Sequence, residues 1–351
     1  MLVAVWARLA PRPVTGRADF EPTVTVCMTV HNGEGFLIRK LRSLQQLDYP
    51  PERLEILVYS DGSTDATEQL AREFAATDPR VRLLSSSTRL GKPTGLNRLR
   101  TEAKGEVLLM TDVRQPLAPG ALRALLFQLA APEIGCVSGS LVLEGNTGAG
   151  AYWRYERLIR SSEARLGNMV GVSGSLYALR RDDFGELPSD VLLDDMFVPL
   201  RIVRSKKRVV LAEEAEAYDD ACTDDREFAR KVRTLAGNYQ LVFKLPWLLV
   251  PGHNPVWFQL VSHKLLRLVC PWALLVLLGS SLIWNASAEL SGYEAWAWRT
   301  LLWGQLLFYG LAALGDRAGR LGALARTFVI MNVAAMLGLW RFLRGSQAIA
   351  W

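Results

Sequence analysis

Three uncharged runs near the C-terminus constrain this chain most. Leu268 to Trp284 carries no charge for 17 residues and stays uncharged through Ala288; Thr300 to Gly315 is uncharged for 16 residues and Thr327 to Trp340 for 14. A helix crossing a bilayer core needs about 20 apolar residues, with a range of about 17 to 25, so the first run qualifies on length. The other two reach that length if Arg299, Arg341 and Arg344 run their apolar stems through the interface. One such run alone is also compatible with a buried helix of a soluble protein. Three in succession, rich in Trp and joined by short polar loops, read as about three transmembrane helices within residues 265–351.

Charge orients that reading. Between Arg226 and Arg267 there are seven Lys or Arg residues and one acid, Glu227, which by the positive-inside tendency puts this flank in the cytoplasm. The expectation is an integral membrane protein, in a bacterial inner membrane, with a cytoplasmic soluble part. The loop from Asn285 to Ala297 carries only Glu289 and Glu294, and Asp316 to Arg326 carries three arginines, an outward and then an inward crossing. Arg341 and Arg344 then fall on the wrong side, which leaves the placement of the third span open. Residues 1–22 read as a stub, since MLVAVWARLAPRP is too short in its apolar part for a signal peptide or a span. Residues 241–264, with their prolines and aromatics, suit helices lying at the membrane interface. Cys27, Cys136, Cys222 and Cys270 are widely spaced and read as reduced thiols. The net charge of +6 raises a nucleic-acid partner, but the basic residues cluster beside the apolar runs without any nucleic-acid signature. Membrane lipids are the expected anionic partner.

The soluble part, residues 23–240, alternates short β-branched runs with helical patterns. VTVCMTV, LEILVYS, VRLL and EVLLMT read as strands; Glu34 to Leu47, Thr64 to Ala76, Lys92 to Ala103 and Pro119 to Leu129 read as helices. That alternation gives βαβ units and a mostly parallel α/β sheet with helices on both faces. LLMTDVRQP, Leu108 to Pro116, is an apolar run closing on a carboxylate, the way a buried strand delivers an acid to the crevice at its carboxyl end. Asp112 is therefore a candidate for holding a metal ion and a phosphorylated donor; capping of the helix that starts near Pro119 is the alternative. The first strand runs into His31, Asn32, Gly33 and Glu34, and the second into DGSTD from Asp61. In one parallel sheet these ends place Asn32, Asp61 and Asp112 along a single crevice, although DGSTD also reads as an Asx turn with a helix cap.

With these residues in hand, Val24 to Arg267 resembles the membrane-anchored branch of family 2 glycosyltransferases, of GT-A fold, that includes cellulose, chitin and hyaluronan synthases. VTVCMTVHNGEGFL is similar to the opening strand and P-x-Y-N-E turn, with Thr29, His31 and Gly33 in place of Pro, Tyr and Glu. DGSTDAT matches the second motif, LGKPTGLN resembles G-K-x-x-A-L-N, GVSGSLYALRR the acceptor segment, and LLDDMFVPLRI the T-E-D segment. The D-x-D motif appears as Asp112-Val113-Arg114, and the Q-x-x-R-W signature is reduced to Arg230, Lys231, Val232, Arg233 and Thr234.

The resemblance implies a residue-by-residue assignment. Thr29, Asn32, Glu34 and Asp61 would line the pocket for the nucleotide sugar, and Lys92 would add a point charge near the ribose or diphosphate. Asp112 would ligate Mg²⁺ or Mn²⁺, with dependence on the metal put in question by Arg114, which could itself pair with the diphosphate. Ser173, Gly174 and Ser175 would leave room for the acceptor. Asp195 would be the base, beside Asp194, and Arg230 and Arg233 would clamp the leaving diphosphate. The expected activity is inverting transfer of a sugar, a hexosyl group, from a nucleotide sugar, first a UDP-sugar, to a lipid-linked or polysaccharide acceptor. A processive synthase is the alternative, and its channel would need a homo-oligomer because three short spans are few. A non-catalytic membrane protein that binds nucleotide sugar or glycan is the third reading, motivated by Arg114 and the altered Arg230 to Thr234 segment.

Overall fold

The computed structural model of the chain describes residues 2–9, 11–144, 150–220, 224–286 and 291–345. They divide into a mixed α/β unit, reaching to the end of the last strand and including residues 247–259, and a C-terminal helical unit. In chain order the first unit comprises α1 (Leu2–Leu9), β1 (Val24–Val30), α2 (Glu34–Gln45), β2 (Leu54–Asp61), α3 (Thr67–Thr77), β3 (Val81–Ser86), α4 (Lys92–Glu102) and β4 (Val107–Met110). It continues with α5 (Ala121–Leu129), β5 (Ile134–Glu144), α6 (Gly150–Leu166), β6 (Tyr177–Arg180), α7 (Arg181–Phe184), α8 (Asp194–Arg204) and β7 (Arg208–Asp220).

The seven strands form one sheet in the order β3-β2-β1-β4-β6-β5-β7. β1 lies parallel to both β2 and β4, with Cys27 opposite Leu57 on one side and Met110 on the other. β6 runs antiparallel to β4 and β5, and β5 pairs in parallel with β7. All seven residues of β1, Thr25 and Thr29 included, and all four of β4 are buried, as in strands covered on both faces. β1 is where the chain, having gone outward through β2 and β3, returns to lay β4 on the opposite side. That switch point opens a crevice outside the carboxyl ends of β1 and β4.

Helices α2, α4 and α5 begin within two residues of where the sequence pattern puts them. The exception is α3, which starts at Thr67 rather than Thr64, because Thr64 N–H donates to Asn32 Oδ1 at 2.8 Å and Asp65 Oδ1 accepts from Thr67 N–H at 3.0 Å. These local bonds take the donors that a longer helix would leave unpaired. Cys27 and Cys136 are buried and free, and burial raises both thiols. Cys222 lies outside the described residues.

The helical unit holds α9 (Asp224–Lys244), α11 (Leu266–Ala286), α12 (Gly292–Leu314) and α13 (Gly319–Leu343); of the single turn α10 (Trp257–Leu260), all but Leu260 falls in the first unit. Two helical stretches, Trp257–Ala286 and Gly292–Leu343, are long and apolar enough to cross a membrane; the second is broken at Gly315–Ala318 into α12 and α13. α12 starts at Gly292, ahead of the uncharged run, so Glu294 and Arg299 lie inside it. α9 packs on α11 and α13 through Val232, Leu235, Leu268, Ala334 and Ala335. At Gly338 a Cβ would stand 2.9 Å from the amide nitrogen of Ala236, so the two backbones approach closely, as small residues allow between apolar helices. α9 thus belongs with the C-terminal helices, and the break between units falls before it rather than near residue 240.

One position in the first unit breaks the apolar rule. On α2 the buried stripe runs Leu37, Lys40, Leu41, Leu44, and Lys40 is 0% exposed. Its Nζ donates to Thr111 Oγ1 at 2.6 Å and to Gln115 O at 2.5 Å. Burial pushes the ammonium down to about 7, partly opposed by the charge of Asp112. Lowering the folded-state value below the unfolded one, about 10.4, means the unfolded chain holds more protons between pH 7 and 10. Stability should therefore rise with pH across that window, and the full burial cost is present below it. Lys40→Met removes the term. From pH 7 to pH 9 the wild type should gain on the variant by about 2 kcal/mol, read from denaturant unfolding at each pH; a pH-independent difference would contradict the buried, proton-releasing lysine.

Candidate active site

The crevice is assembled by a turn that Asp61 locks. Asp61, the last residue of β2, is 0% exposed, and its two carboxylate oxygens accept N–H from Leu90 at 2.7 Å and Gly91 at 2.9 Å. Gly91 has φ +91°, a conformation that favours glycine, and Pro93 pre-sets the first turn of α4. At Gly95 a Cβ would meet Tyr59 Cδ1 at 2.6 Å and Thr29 Cγ2 at 2.8 Å, so only glycine lets α4 lie this flat on β1 and β2. The result fixes Lys92 as the first residue of α4. A cation is unfavourable at a helix N-terminus, so something else must hold it there.

Two carboxylates do. Lys92 Nζ lies 2.9 Å from Asp112 Oδ1 and 3.2 Å from Asp194 Oδ2, and the lysine side chain is 14% exposed. Asp112 follows β4, and Asp194 and Asp195 open α8, in the first turn where acidic side chains complement the helix dipole. Burial alone would lower the Lys92 ammonium, but Asp112 and Asp194 outweigh it and the net shift is upward. Burial, reinforced by the charge of Asp194, pushes the Asp195 carboxyl up to about 6, with Lys92 and Arg160 pulling the other way and Asp112 adding to the rise.

The Ser173-Gly174-Ser175 turn closes the group. A Cβ on Gly174 would sit 3.5 Å from Asp112 Oδ2, 3.8 Å from Lys92 Nζ and 3.9 Å from the Asp195 Cβ. A side chain at this position would therefore meet all three at ordinary contact distance. Ser173 and Ser175 are buried and bond to each other, Oγ to Oγ at 2.7 Å, so they shape the turn rather than face a ligand. Val172 N–H donates to Asp195 O at 2.8 Å, which ties the turn to the start of α8.

The structure thus brings Lys92, Asp112, Gly174, Asp194 and Asp195 together, and engages other expected residues of the same unit with different partners. Asp61, expected to receive bonds from a nucleoside, is fully buried with both oxygens on backbone amides. Thr29 is buried inside β1. Asn32 Oδ1 accepts from Thr64 N–H at 2.8 Å and Glu34 Oε2 from Ala66 N–H at 2.9 Å, so both clip the β1–α2 turn to the DGSTD loop. Arg114 Nε pairs with Asp219 Oδ1 at 2.7 Å, and its Nη2 donates to Asp220 O at 2.9 Å; Asp219, at the end of β7, is the acid that sequence reasoning missed. Arg230 and Arg233 are carried by α9 of the helical unit.

A divalent cation at Asp112, which the family resemblance implies, does not fit the residues as placed. The second carboxylate of the motif is Arg114, bound to Asp219, and an ammonium already lies between Asp112 and Asp194. Among the described residues no group of three His, Cys, Asp or Glu side chains is arranged to hold a metal.

The comparisons with known proteins agree with this architecture. A mannosyltransferase from Pyrobaculum calidifontis, solved in complex with GDP-Man and Mn²⁺, superposes with a TM-score of 0.78 over 97% of this chain and 94% of its own, at 24% identity, a likeness of fold. Among curated proteins, a beta-monoglucosyldiacylglycerol synthase from Synechocystis sp. is 23% identical over 55% of this chain. An N-acetylglucosaminyltransferase from Sinorhizobium fredii is 25% identical over 49% of it. In both cases the match spans 43% of the relative's length. The family model of glycosyl transferase family 2 matches residues 25–187, the stretch from β1 to β6 that holds Lys92, Asp112 and Gly174.

Proposed function

We propose that this protein is an inverting glycosyltransferase that moves a sugar from a nucleotide-sugar donor to a hydroxyl of a membrane-associated acceptor. The observation that carries the reading is the convergence of Lys92, Asp112 and Asp195 around Gly174. Asp195 is a carboxylate raised toward neutrality, as a general base working near pH 7 should be. In the proposed step its oxygen takes the proton from the acceptor hydroxyl. The acceptor oxygen bonds to the anomeric carbon as the bond from that carbon to the diphosphate breaks. The electron pair leaves on the nucleoside diphosphate, whose charge the Lys92 ammonium faces. Asp194 holds Lys92 in place and sustains the elevated basicity of its neighbour.

The donor class proposed is a UDP-sugar carrying a hexose, from the resemblance to cellulose, chitin and hyaluronan synthases. The GDP-Man bound to the Pyrobaculum neighbour makes a GDP-sugar the competing arm of one assay. The two apolar helical stretches support anchoring in a membrane, with the α/β unit on the cytoplasmic side, and hence a lipid-linked or polysaccharide acceptor. Incubating the purified full chain with radiolabelled nucleotide sugars and membrane lipid extract tests the whole reading; failure to turn over any donor would sink it.

Asp195→Asn should lower turnover by about 10²- to 10⁴-fold while leaving thermal stability near that of the wild type. Because the base works deprotonated, kcat/KM of the wild type should climb as pH rises through about 6 and flatten above it. A flat profile from pH 5 to 8 would remove Asp195 from the step. Gly174 has ordinary backbone angles and ordinary contact distances for an added Cβ. Gly174→Leu should therefore fold, yet weaken binding of nucleoside diphosphate in calorimetry by more than about tenfold; undiminished binding would move the ligand out of this space.

A further inference from the structure

We propose that Lys40 is a positioning residue for the transfer step: through Thr111 it fixes the spacing between the turn that carries Asp112 and the turn that carries Gly174. The proposal rests on the glycosyl-transfer reading. It starts from a relay of three short bonds. Lys40 Nζ donates to Thr111 Oγ1 at 2.6 Å, which leaves the threonine hydroxyl hydrogen free to donate onward, and it does so to Ser175 O at 2.6 Å. A second Lys40 bond, to Gln115 O at 2.5 Å, holds the far end of the Asp112–Gln115 turn. One ammonium on α2 therefore grips the two ends of the first turn and, through a single hydroxyl, the last residue of the second.

The grip is reinforced from both sides. Ser43, one helical turn after Lys40, accepts from Leu117 N–H at 3.2 Å while donating to Lys40 O at 2.7 Å, so α2 also holds the exit of the turn. Gln115 Nε2 donates to Asp219 Oδ2 at 2.9 Å, and Arg114 pairs with the other oxygen of that acid. Asp112 is left as the member of the turn facing Lys92 and the space at Gly174.

Stability does not explain the charge. A fully desolvated ammonium costs several kcal/mol, and apolar replacements of buried charges are often neutral or stabilising. Methionine, unbranched and of similar length, would complete the Leu37, Leu41, Leu44 stripe. What methionine cannot do is bond both turns. A shift of about 1 Å between groups that hold donor and acceptor can cost on the order of a hundredfold in rate.

The test uses the full-length protein and the variants Lys40→Met and Thr111→Val. Thr111→Val keeps Lys40 and its Gln115 bond but cuts the link to Ser175, and it serves should Lys40→Met fail to fold. Each should lower kcat by about tenfold or more, with a thermal midpoint for Lys40→Met at neutral pH equal to or above that of the wild type. The double variant should be no worse than the weaker single, since both cut one relay. Amide hydrogen exchange should speed up in residues 112–117 and 172–176 together. A lysine with a merely structural role gives the reverse: a lower midpoint with kcat and KM per folded molecule unchanged, and that result would overturn the proposal. If the wild type transfers no sugar at all, the function reading fails, and the exchange measurement decides alone: unaltered protection in both turns removes the clamp.

Discussion

The site depends on one ion cluster, an ammonium on α4 held between a carboxylate after β4 and another at the start of α8. Lys92, Asp112 and Asp194 are distant in sequence, and none could be brought to 3 Å of the next by local structure. Each is delivered by a rigid element: a helix clamped at its first turn by the buried Asp61, a strand buried on both faces, and a helix whose own dipole favours its leading acids. The surroundings of Gly174 have their chemical character only because these three deliveries coincide.

Much of this was legible before any coordinates. Strands that are continuously apolar and end on a polar residue mark a buried parallel sheet, and they placed β1, β2 and β4 and the Asp112 turn correctly. Asp112 could be picked out as the carboxylate that closes an apolar run, and Lys92, Asp194 and Asp195 through the resemblance of their segments to family motifs. What could not be read was how each polar side chain is satisfied. Asp61 looks like a ligand-binding acid by its place at a strand end, but the two backbone amides that it takes belong to a turn 29 and 30 residues later. Asn32 and Glu34 are engaged in the same way by the DGSTD loop. Arg114 reads as a broken metal motif, and its partner Asp219 is more than a hundred residues away on the far edge strand. Lys40 left a signal that was passed over: it falls in register with Leu37, Leu41 and Leu44, the face a charge should avoid.

Buried charge in this unit falls into two kinds. Lys40 and Asp219 are satisfied by hydrogen bonds and touch the Asp112–Gln115 turn from opposite sides; they define a geometry. Lys92 and the acids around it are paired with one another and border Gly174. Apolar side chains could fill either volume, but they would leave the turn free to take several arrangements of similar energy. Directional bonds from buried ions select one, at a cost in stability that the large apolar core of the sheet can bear.

The acid count then sets the chemistry. Asp112, Asp194 and Asp195 face Lys92 and, through its field, Arg160, so the carboxylates outnumber the cations. Burial first, and the repulsion of Asp194 second, make Asp195 bind its proton more tightly than an isolated aspartate. In the proposed transfer, an incoming diphosphate would add negative charge and draw the field of Lys92 toward itself, and both effects would make Asp195 more basic still. Donor occupancy and the strength of the proposed base would thereby be coupled through one lysine. The same surplus of negative charge that adds to the basicity of Asp195 would favour departure of an anionic leaving group once its bond to the sugar had broken.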